Sequence, residues 1–205
     1  MVPPGAEILS AFLYFETIAA SPAQLQGVRF RGEELDLSDP NVAKISPATL
    51  SGATASCYSS GSGLSMYMVR ADVRRLLPRE FDIDGNPTGR RLVNDADLAV
   101  NIDPDTGAPW PAHTIRLPES GTGNIPPQSA GASLVVVYRD PSEPLRKILF
   151  YDGIAVLPDI AGAQLSQTIR GPVCRHCCFI VLAIAPRSAK VGPIISRRRR
   201  RSGGL

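Results

Sequence analysis

The sequence predicts an all-β fold, an antiparallel β-sandwich or jelly roll, on three observations. Short apolar or alternating runs recur along the chain, no long helical pattern intervenes, and turn formers stand between the runs. The 205 residues include 18 glycines and 19 prolines, with 43% hydrophobic and 20% charged residues. That composition excludes a charged disordered chain and a long coiled coil. A chain of this length supports one domain, or one domain with a tail, whose core buries roughly 70% of the unfolded surface. No apolar run approaches the length of about 18 residues that spans a bilayer as a helix, so no transmembrane segment is expected.

The first strand is expected over Ile8–Ile18, rich in Phe12, Tyr14 and Phe15 and carrying Glu16. The residues before it lack the basic start and clean apolar core of a signal peptide. Gly27–Arg31 sets Val28 and Phe30 between arginines, the period of a strand with one wet face. Ser51–Gly63 is a Ser/Gly/Ala/Thr loop, and Leu64–Arg70 returns to strand character. Asp72 then offers an N-cap for one short helical turn, Val73–Leu77, stopped by Pro78.

Phe81–Gly89 places turn residues between two strands, and Asn101–Pro111 is a second loop, followed by a short strand His113–Leu117. Glu119–Ser129 is a third loop, rich in Gly and Pro. Ala132–Tyr138 is apolar on both faces through Leu134–Val137, which predicts a central strand covered on both sides. Arg139–Pro144 then turns the chain into Leu145–Tyr151, so an antiparallel hairpin is expected in the core. Ile154–Leu157 and Gln164–Ile169 are two further short strands.

Charge divides the chain in two. Residues 1–171 hold 14 Lys/Arg against 19 Asp/Glu, whereas residues 172–205 hold eight basic residues and no acidic one. A mildly acidic β-sandwich domain (1–171) therefore carries a basic, Cys-containing tail (172–205), expected to be non-globular and disordered. The body gives no reason to expect nucleic-acid binding. Arg197–Arg201 gives the tail a weak one, since a run of guanidiniums neutralises phosphates and releases their counterions. A solvated tail is the default reading.

Certain blocks carry a resemblance. Ala6–Thr17, Arg70–Val73, Gly131–Pro141 and Pro144–Gly153 together resemble an uncharacterised family of secreted bacterial β-sandwich modules. Such modules stand at the start of large surface proteins that continue into immunoglobulin-like repeats. The resemblance spans roughly residues 3–171. It implies a sandwich fold and an extracellular or cell-surface location in a parent protein, and it brings no catalytic residue. The basic tail fits neither the family nor a sandwich, and the chain starts within the first strand block. A fragment, or a frame-shifted reading of a longer gene, is the expectation.

Motifs that carry chemistry are few. Asp82, Asp84 and Asn86 have the opening spacing of a calcium loop, but Pro87 stands where the sharp-turn glycine belongs and Val93 where the closing glutamate belongs. A β-turn between strands is the expected role, and Asp103–Gly107 reads the same way. Cys174, His176, Cys177 and Cys178 offer only half of a structural zinc site, and Cys57 stands far off in sequence. No metal or cofactor is therefore expected; four cysteines could form two disulfides, but their spacing matches no known framework. The chain has no Gly-x-Ser-x-Gly elbow, and only His113 and His176 as histidine bases. Gly121–Gly123 lacks the glycine pattern of a phosphate loop.

The leading expectation is a non-catalytic structural or adhesive module of an extracellular or cell-surface protein, meeting other surface modules or glycans. The alternative is a carbohydrate-binding module in which Tyr58 and Trp110 stack on sugar rings. A hydrolase using paired carboxylates ranks below both.

Overall fold

The structure is a computed structural model that describes residues 2–3, 6–49, 63–93, 99–102, 109–120, 125–145, 147–154 and 177–181. It is all-β and sandwich-like, and its two larger sheets are antiparallel, as expected. Its centre is a four-stranded antiparallel sheet in the order β11-β1-β5-β4. β1 is Glu7–Ala19, β4 is Ala43–Thr49, β5 is Ser65–Asp72 and β11 is Gln128–Arg139. Against one face lies a small three-stranded sheet, β10-β2-β3, made of Ile115–Arg116, Arg29–Phe30 and Glu33–Glu34.

The inner strands follow from their pattern. β1 has 13 residues, and both of its alternating sets are largely buried, so it occupies the middle of the sheet. Ala11, Leu13 and Phe15 point to the main core, where they meet Val69 and Ala71 of β5. Leu25, Val28, Phe30, Leu35 and Leu37 close that core from the second layer. The β2–β3 hairpin turns on Arg31 and Gly32, whose φ values of 55° and 85° suit a type I′ turn. A bulge between Ile8 and Ser10 shifts the phase of β1, so Ile8 also reaches the core while Leu9 is exposed.

Two expectations about the C-terminal half need correction. Ala132–Tyr138 and Leu145–Tyr151 do not form a hairpin. β11 pairs antiparallel with β1, while β12 (Lys147–Tyr151) runs parallel to β13 (Cys177–Val181) among the described residues. Among the described residues Leu134–Val137 is also not a central, doubly covered run. It lies in an edge strand of the described sheet, and its residues are half-buried. Leu134 and Val136 pack on the main core, whereas Val135 pairs with Phe12 on the opposite face. An apolar run records burial on two sides. It does not record how many strands flank it.

Other departures are local. β4 carries Pro47 within it, which breaks the strand pattern of its sequence; the edge of a sheet tolerates a residue without an N–H. The Asn101–Pro111 loop is framed by a β-ladder of β8 (Ala99–Ile102) with β9 (Pro109–Ala112). The helical turn is a 3₁₀ turn at Arg74–Leu76, with the Asp72 carboxylate accepting from the Arg74 amide at 2.9 Å. Another 3₁₀ turn stands at Pro22–Leu25. Ser51–Gly61, Asp103–Gly107, Gly121–Gly123, Ala155–Leu157 and Gln164–Ile169 lie outside the described residues. So does the boundary at 171/172, and of the tail only Cys177–Val181 is described. Among the described residues no helix is long and apolar enough to cross a membrane.

Candidate functional site

The face of the central sheet opposite the main core is the most polar buried region described. Strand alternation builds it: Phe12, Tyr14, Glu16 and Ile18 of β1 share this face. The register sets Tyr14 beside Arg70, Glu16 beside Met68 and Ile18 beside Met66 on β5. Phe150 of β12 packs edge-on against Phe12, at 5.6 Å and 74° between the rings. Two residues on, Asp152 enters the face.

Asp152 is the hub. Its Oδ1 accepts from the Tyr14 hydroxyl at 2.8 Å, and its Oδ2 forms an ion pair with Arg70 Nη1. The Asp152 side chain is 6% exposed and that of Arg70 28%. The Arg70 guanidinium also lies 5.1 Å from the centre of the Phe12 ring, a cation–π contact. Burial pushes the Tyr14 phenol up to about 12, and its bond to Asp152 and the charge there act in the same direction, against Arg70. Tyr14 is thus held as a proton donor at physiological pH. Both Asp152 oxygens are engaged, so the carboxylate works as a clamp between β1, β5 and the segment after β12.

Glu16 is different. It is 4% exposed, and burial alone raises its carboxyl to about 7. Around it stand Met68, Gly131, Tyr14 and Ile18, with no opposite charge directly across the strands. Near its pKa this group exchanges a proton in a largely apolar setting. On the other face, Thr17 lies 2.8 Å from the Ser129 hydroxyl, which donates to the Pro118 carbonyl at 2.7 Å. Since Ser129 has one hydroxyl proton, Thr17 is the donor in that pair.

The residues singled out from sequence are not brought together. Tyr58 lies outside the described residues. Trp110 stands in β9 opposite Asn101, and its side chain lies outside them too. Cys57, Cys174 and His176 are likewise outside, while Cys177 and Cys178 begin β13 opposite Lys147 and Ile148. His113 lies between β9 and β10, ahead of the shorter observed strand Ile115–Arg116, and stacks on Phe30 at 5.2 Å. The Asp82–Asn86 segment is the β6–β7 turn, between Arg79–Phe81 and Pro87–Arg91. There Asp82 Oδ1 accepts from the amides of Asp84 and Asn86, at 3.0 and 2.7 Å. That carboxylate orders a turn.

Sequence reasoning passed over Tyr14, Glu16, Arg70 and Asp152 as a set. A usable signal existed in Glu16, an acid at the period of Phe12 and Tyr14 within an apolar strand. Compared with family models, curated proteins and solved structures, the chain matches none.

Proposed function

We propose that the chain is a non-catalytic structural or adhesive module of an extracellular or cell-surface protein. One observation carries this reading: on the sheet's second face Tyr14, Arg70 and Asp152 are spent on one another. Asp152 binds Tyr14 and Arg70 at once, and so ties two strands to a segment far along the chain. A catalytic carboxylate needs a free oxygen directed at a substrate. A clamp of this kind instead holds strands in place under load. The resemblance of four sequence blocks to secreted surface modules supports the same reading.

The test pairs binding with turnover. The immobilised chain is presented to cells and to a glycan array, and the soluble chain to a broad panel of hydrolase substrates. Retention on a cell surface with no turnover is the expected result. Turnover that disappears in Asp152→Asn would replace this reading with a hydrolase. Binding to neutral glycans that disappears in Trp110→Ala would replace it with a carbohydrate-binding module.

A further inference from the structure

The β6–β7 hairpin separates its charges by face. Glu80 sits with Arg90, at 3.5 Å, and accepts from the Thr88 hydroxyl at 2.8 Å. That side of the hairpin is neutralised. Arg79 stands directly opposite Arg91 in the ladder, two like charges across one rung. Such a pairing destabilises a sheet.

Arg74, in the neighbouring 3₁₀ turn, adds a third cation. Its Nε donates to the Ile8 carbonyl at 2.9 Å, and Arg91 Nη1 donates to the Leu77 carbonyl at 2.7 Å. Both guanidiniums are therefore oriented by backbone, each using one of five N–H donors. None of the three meets a carboxylate among the described residues. Their closeness is felt at Arg91, whose proton affinity is lowered by burial first and then by the charges of Arg79 and Arg74.

We propose that Arg74, Arg79 and Arg91 form a binding site for a tetrahedral oxyanion, the phosphate or sulfate group of a ligand. Arg79 faces Arg91 across one rung and Arg74 stands in the adjoining 3₁₀ turn, so two anchored forks and one exposed fork offer several N–H donors in one small region. Arginine suits this better than lysine because its planar fork meets two oxygens at once. A bound dianion also relieves the repulsion between Arg79 and Arg91, which has no relief within the hairpin. The site is independent of the Tyr14–Asp152–Arg70 clamp and of the functional reading built on it.

The tail arginines Arg197–Arg201 also attract anions, so the test reads individual side chains of the full chain. Inorganic phosphate and inorganic sulfate are titrated separately against chloride at matched ionic strength. The Nε–Hε NMR signals of Arg74 and Arg91 are followed. Saturable shifts are expected, and the anion that saturates at lower concentration names the source. In Arg79→Glu the half-saturating concentration should rise at least about tenfold, since the exposed fork becomes a carboxylate. Arg79→Ser, which adds no charge, should fall between. Shifts that do not saturate, or equal half-saturation in wild type and Arg79→Glu, would overturn the site.

Discussion

The two faces of the central sheet are built by the same strands and differ in what they bury. On one face Ala11, Leu13 and Phe15 meet Val69 and Ala71, and a second layer seals them with Val28, Phe30 and Leu35. On the other, Tyr14, Glu16 and Met68 are just as buried, yet two of the three side chains end in polar groups. The first face is held by non-directional burial, which tolerates repacking at constant volume. The second depends on named partners, because a buried polar group without one is costly. The two faces should therefore fail in different ways.

The largest loss belongs to the apolar face. Phe15→Ala removes a fully buried ring and should cost about 4 kcal/mol, a large share of a typical stability of about 5–15 kcal/mol. Urea denaturation at fixed pH measures it, and the cost should not change with pH. A loss below about 1 kcal/mol would mean that this face is not the main core.

The second face should respond to pH instead. Glu16 is shifted from 4.5 to about 7, which corresponds to about 3 kcal/mol once both states are ionised. The folded state holds the proton more tightly, so this contribution is full below about 4.5 and is lost as pH rises through about 7. Glu16→Gln should match wild type near about pH 4 and exceed it by about 3 kcal/mol near about pH 8. Parallel pH curves for the two proteins would place Glu16 in contact with water.

A smaller effect sharpens the contrast. Tyr14→Phe keeps the ring and removes only the hydroxyl that binds Asp152, which should cost about 1 kcal/mol. Thermal melting would register it as a modest drop with the fold intact. A neutral result would assign the clamp to the ion pair alone.

How far the molecule could be read in advance follows the same division. The strand at Ile8–Ile18 and the turn at Asp82–Asn86 are local, so alternation and turn chemistry exposed them. Strand neighbours are not local. The Arg139–Pro144 turn suggested a hairpin, but β11 instead pairs with β1, joining Leu134 to Leu13. The alternation in β1 already set Tyr14 and Glu16 on one face. Nothing near them pointed to Asp152, which is 138 residues from Tyr14. Closure of that clamp is a property of the folded chain.

If Asp152 and Arg70 hold the second face together, a double-mutant cycle reads their coupling. Arg70→Met and Asp152→Asn are made singly and together, and stability is measured by denaturation. Each single change leaves a polar group without its partner, so each should destabilise on its own. The double variant should be more stable than the sum of the two losses allows, by at least about 1 kcal/mol. Losses that add within about 0.5 kcal/mol would show that the pair does not act as a clamp.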